Sequence, residues 1–120
     1  MQILSPGVFK VSDGEVVTVD VKSTGAATLF GVNHSIFGAG TPLTAGQPLK
    51  ITMDKSKATG TSFVPNAKSA NLTLLFSFTS SSGGRYDLTT SGSDGGPAFP
   101  DQANQTGNTP EAIPYIFHIV

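Results

Sequence analysis

Asn71-Leu72-Thr73-Leu74-Leu75-Phe76-Ser77-Phe78-Thr79 decides how this chain is read. Leu72, Leu74, Phe76 and Phe78 recur at every second position, with Thr73, Leu75, Ser77 and Thr79 between them. Only an extended strand puts four large apolar side chains two apart on one side, because successive side chains point to opposite faces. Five small residues follow, Ser80-Ser81-Ser82-Gly83-Gly84, and the glycines supply the positive φ of a tight connection. Arg85 to Thr90 then alternates again, with Tyr86 and Leu88 inward and Arg85, Asp87 and Thr89 outward. The pattern predicts a β-hairpin with its loop at 80–84.

The same period of two recurs elsewhere. Val17, Val19 and Val21 face one way, and Thr18 and Asp20 the other. Their β-branched side chains are stiff at χ1 and fit a pleated surface. Ala26 to Val32 reads as a second apolar strand, and Pro48 to Met53 as a third, with Leu49, Ile51 and Met53 inward. A weaker strand lies near Gly7 to Val11, and a last one runs from Tyr115 to Val120, entered through Pro114. No window of 11 residues carries helical apolar spacing without a Gly or Pro inside it. About seven short strands with Gly/Pro/Ser turns predict an all-β protein, an antiparallel β-sandwich of immunoglobulin-like or jelly-roll topology with no long helix. A small closed barrel is the alternative. One domain over 1–120 is expected, with long loops at about 33–46 and 91–113.

Composition narrows the classes. The chain has 120 residues, enough to bury roughly two-thirds of its unfolded surface. Charged residues are 12%, about half the usual ~25%. Gly, Pro, Ser and Thr make up 49 positions, a content that suits a secreted or cell-surface β-domain better than a cytosolic enzyme. No leader is visible, since Met1-Gln2-Ile3-Leu4 runs straight into Ser5-Pro6-Gly7. With no Cys, a disulfide framework, a thiolate metal site and a Cys nucleophile are excluded. The net charge of -1 gives no electrostatic case for nucleic acid, and no apolar run approaches the ~20 residues of a membrane helix.

Little in the chain carries a chemical signature. His34 precedes Ser35, but no G-x-S-x-G string surrounds any serine; Ser91-Gly92-Ser93-Asp94-Gly95 has Ser in place of the first Gly. Gly38-Ala39-Gly40-Thr41 starts like a dinucleotide turn but has Leu43 in the third glycine position. The two histidines, His34 and His118, are far apart, which argues against zinc. Asp87, Asp94 and Asp101 come seven apart, and the Gly-rich string beside Asp94 could wrap calcium; no other cofactor is expected. Glu15 and Glu111 are the only glutamates, and nothing in the sequence pairs them for hydrolysis. Three sequons begin at Asn33, Asn71 and Asn104.

Function is therefore sought in the two long connections, because loops beyond about 12–15 residues are usually functional or conceal an element. The expectation is a non-catalytic binding module contacting a glycan or partner protein through His34, Phe37, Asp94, Phe99 and Asp101. Phe37 and Phe99 would offer the flat faces for a sugar. The final strand supports an alternative. Tyr115, Phe117 and Ile119 alternate with Ile116, His118 and Val120, so both of its faces need cover. That face and the 91–113 arm could join copies of the chain in a homo-oligomer. A small hydrolase built on Asp and Glu is the third reading.

Overall fold

The computed structural model describes residues 1–34, 38–41, 47–57, 70–105 and 111–120, with side chains at 1–22, 47–56, 71–77, 85–103 and 112–120. Eight strands run through the described residues: β1 (Gln2–Ser5), β2 (Val8–Val11), β3 (Val16–His34), β4 (Gly38–Thr41), β5 (Leu49–Thr52), β6 (Ala70–Gly92), β7 (Phe99–Gln105) and β8 (Glu111–Ile119). A single 3-10 turn, Lys55–Lys57, follows β5. The all-β antiparallel sandwich expected from the alternation is what the chain forms.

Two strands of unusual length organise it. β3 and β6 pair antiparallel from Val17↔Gly92 to His34↔Leu74. The outer edge of β6 is divided, Ala70–Phe78 bonding to β8 and Gly84–Thr90 to β7. The outer edge of β3 is divided likewise, Val16–Val19 bonding to β5 and the Val32–His34 end to β4. One layer is thus β1-β2-β8-β6-β3-β4 and the other β5-β3-β6-β7, sharing the two long strands. The ladder is irregular midway. Ser81, Ser82 and Gly83 stand opposite Ala26 alone, and the register slips by one residue between Leu29 and Gly31. Such bulges bend strands and let them pass from one sheet to another.

This corrects the predicted hairpin. The small residues at 80–84 are not a reversal; the chain continues through them as β6, and its partner is β3. It also joins the Val17–Val21 alternation and Ala26–Val32 into one strand, β3. The stretch 91–113, expected as one long loop, contains all of β7 and the start of β8. The stretch 33–46 contains the end of β3 and β4; positions 35–37 and 42–46 lie outside the described residues.

The alternation maps onto burial. Val17, Val19 and Val21 of β3, Leu72, Leu74, Phe76, Tyr86 and Leu88 of β6, and Tyr115, Phe117 and Ile119 of β8 form the core with Phe9, Val11, Ile51 and Met53. Phe9 stacks on Phe117 of the adjacent parallel strand at 5.0 Å between ring centroids, and meets Phe99 of the opposite layer edge-on at 5.3 Å. Edge-to-face and offset geometries satisfy the ring quadrupoles while burying large apolar areas.

Local chemistry fixes the connections. Pro6 and Gly7 form a two-residue turn between β1 and β2, with Gly7 at φ 77°, as a type II turn requires. β8 lies between β2 and β6, which pair its two backbone edges. His118, on the face away from the core, is only 2% exposed, so that face is covered here. Pro114 falls inside β8, not at its entrance. It is tolerated because the N–H of Ile116, two residues on and pointing the same way, already bonds Gly7 O at the beginning of β2. Position 114 points beyond the end of that partner, where no donor is needed.

Candidate functional site

The residues expected to bind are distributed among several structural roles. His34 ends β3, in register with Gly38 and Leu74. Its side chain, and the whole of Phe37, lie outside the described residues. Asp94 sits in the turn after β6. Its carboxylate pairs with the Met1 ammonium and accepts the Gly96 N–H at 2.9 Å. Those contacts, the ammonium first, hold its pKa below the usual carboxylate value. Phe99 opens β7 with its ring edge-on to Phe9 and, at 6.0 Å, to Tyr115.

Asp101 couples the two layers. One carboxylate oxygen accepts the Tyr115 hydroxyl of β8 at 2.8 Å, and the other accepts the N–H of Gln102 at 2.8 Å. Tyr115 is fully buried; burial first, then the Asp101 bond and charge, push its phenol far above the ordinary value. The phenol therefore stays protonated and acts as a donor, so a carboxylate at an inward-facing strand position is satisfied.

Glu15 is buried beneath Met1. It contacts the Met1 ammonium at 2.8 Å and accepts the Ser12 N–H at 3.0 Å. Burial lowers the proton affinity of that ammonium, but the bonds and charges of Asp94 and Glu15 outweigh it, and its pKa is raised. Asn71 is 5% exposed, so the sequon beginning there does not present its amide at the surface. The side chain of Glu111 lies outside the described residues. Among the described residues, no three His, Asp or Glu side chains gather as metal ligands. Asp87, Asp94 and Asp101, the calcium candidates, bond to Arg85, Met1 and Tyr115 respectively.

A different arrangement is open to solvent. Arg85, Asp87 and Thr89, outward on β6, and Pro100 and Gln102, outward on β7, line a groove of about 580 Å³ together with the inward pair Leu88 and Asp101. The register sets Asp87 beside Gln102 and Thr89 beside Pro100. Arg85 and Asp87, two apart on one strand, meet fork to fork: Nε to Oδ1 at 3.0 Å and Nη2 to Oδ2 at 3.4 Å. Both remain more than one-third exposed. The groove thus offers fixed guanidinium donors, carboxylate acceptors, a hydroxyl and an amide beside one proline ring. Sequence reasoning placed Arg85, Asp87 and Thr89 outward, but gave Arg85 and Thr89 no role and Asp87 only a place in the calcium trio. Gln102 and Pro100 could not be set beside them while 91–113 was read as a loop.

No family model, no curated protein and no solved structure matches this chain.

Proposed function

We propose that the protein is a non-catalytic binding module whose ligand lies in the β6–β7 groove. The observation that supports this is the exposed Arg85–Asp87 fork set beside Thr89 and Gln102 on a rigid sheet surface. An exposed ion pair adds little to stability, so its value to the fold is small. Held in one geometry, though, it offers hydrogen-bonding groups already ordered, which lowers the entropy lost on binding. The site shifts from the loop residues expected at first to strand residues, and retains only Asp101 from that set. The two carboxyl groups of the groove are each bonded already, Asp87 to Arg85 and Asp101 to Tyr115. That favours recognition over hydrolysis, which needs one carboxyl free to carry a proton.

The test is a ligand screen by thermal shift on the wild-type chain and Arg85→Ala. A ligand of this groove raises the wild-type midpoint by mass action and leaves that of Arg85→Ala unmoved. Equal shifts in both proteins would place binding elsewhere.

A further inference from the structure

We infer that the β6–β7 groove takes a neutral sugar ring, held by a pair of adjacent hydroxyl groups across the Arg85–Asp87 fork. The inference rests on the reading of the groove as the binding site and adds the class of ligand. Three observations select that class.

The first is charge. Arg85 and Asp87 neutralise each other, Thr89, Pro100 and Gln102 carry none, and Asp101, the remaining carboxylate, is bonded by the Tyr115 hydroxyl and the Gln102 N–H, so the groove has no excess of positive charge. A site for phosphate or another anion would leave guanidinium donors in excess of acceptors. Here Asp87 Oδ1 is shut off from solvent beside Arg85 Nε, but Oδ2 has lone pairs left after meeting Nη2, and the guanidinium has N–H groups left. A hydroxyl both donates and accepts, so two adjacent hydroxyls satisfy both partners at once.

The second is the state of the strand edge. Among the described residues β7 pairs with β6 alone, which would ordinarily invite an extended peptide to add as a further strand. Backbone donors at alternate positions point the same way, and at positions 100 and 102 they point away from β6. Pro100 has no N–H, and the Gln102 N–H is already taken by Asp101 Oδ1. Both donors that a peptide would need there are absent or occupied.

The third is shape. Cross-strand neighbours lie about 5 Å apart and alternate residues of one strand about 7 Å apart. Two columns, Arg85–Asp87–Thr89 and Pro100–Gln102, therefore floor the groove with a patch about one sugar ring wide. The Pro100 ring gives it an apolar corner for the C–H face of the ring.

The experiment is amide chemical-shift mapping on the intact chain. The probes are the methyl pyranosides of gluco, galacto, manno and fuco configuration, their deoxy analogues lacking one of the paired hydroxyls, inorganic phosphate, and an extended hexapeptide. The expected result is saturable, millimolar shifts at Arg85 to Thr89 and at Gln102 with at least one pyranoside. These weaken about tenfold with its deoxy analogue and with Arg85→Ala or Asp87→Ala. Both variants keep the wild-type unfolding midpoint, so the loss is not one of folding. Shifts in the groove with peptide or phosphate but with no sugar overturn the sugar assignment and leave the binding reading standing. A deoxy analogue that binds as well as its parent overturns the paired-hydroxyl contact. No groove shift with any probe overturns both.

Discussion

The ammonium group of Met1 is held by two carboxylates distant in the chain, Glu15 at the start of β3 and Asp94 in the turn after β6. The clasp closes because no side chain intervenes. A Cβ at Gly92 would collide with Glu15 Oε2 and lie 2.7 Å from Met1 Cβ, and one at Gly96 would lie 2.5 Å from Met1 O. None of this is legible from local pattern. Asp94 could be picked out as a carboxylate in a Gly-rich turn, but its partner lies at the other end of the chain. Glu15→Gln keeps an acceptor for the Ser12 N–H and removes the charge beneath Met1. It should cost about 1.5–3 kcal/mol in urea unfolding at neutral pH. The raised pKa of the ammonium fixes the sign of the pH effect. Its contribution is fully present below its ordinary value of 8.0 and is lost as pH rises through the higher folded value. Wild-type stability should therefore fall on that alkaline limb, and Glu15→Gln should flatten it.

β7 shows how a strand escapes notice. Its inward positions are Phe99, Asp101 and Ala103, a period of two with a carboxylate in the middle. Pro100 interrupts it further, so composition alone reads as loop. The polar inward position makes sense only once Tyr115 reaches across from β8 to bond it. The misplaced hairpin has a related origin. Ser and Gly at 80–84 are turn-formers by local preference, but Gly84 pairs with Gly25 and the excess residues bulge out. Turn chemistry sees only neighbours; pairing with β3 is a long-range fact. Alternation, by contrast, was legible wherever the inward residues were apolar, as at Leu72–Phe76 and Val17–Val21. Asp101→Ala tests the coupling role. It leaves a buried phenol without its acceptor and should lower stability by about 1–3 kcal/mol, while Asp101→Asn, which keeps an oxygen there, should lose less. Freed of Asp101 Oδ1, the Gln102 N–H opens the β7 edge, and light scattering should show Asp101→Ala associating as concentration rises. An unchanged unfolding midpoint for Asp101→Ala would contradict the coupling.

Taken together, the titrating groups bound the pH range in which the sandwich is most stable. His118 is buried on the outward side of β8, and burial lowers its pKa from the ordinary 6.5. The unfolded chain thus takes up the proton first, and stability falls as pH drops below 6.5 toward the folded value. Asp94, held below its ordinary 3.8, adds a further loss as pH falls past that point. Urea midpoints measured across pH should show a plateau from 6.5 to 8.0, a first decline below it and a steeper one in acid. A midpoint flat down to pH 3.8 would mean that His118 accepts its proton without strain. The sandwich itself was readable because it depends on the periodicity of many residues at once. The groove was not, because it needs two strands in register, one of them disguised.

The position of β8 also governs how the chain is made. It sits between β2 and β6, parallel to one and antiparallel to the other, so residues 111–119 join two strands translated well before them. Until that segment leaves the ribosome, Phe9 lacks the ring of Phe117 beneath it, and both flanking strands have unpaired backbone. The nascent polypeptide must wait in a sticky, half-assembled form, and assembly of this layer is completed only after residues 111–119 have followed both of their partners.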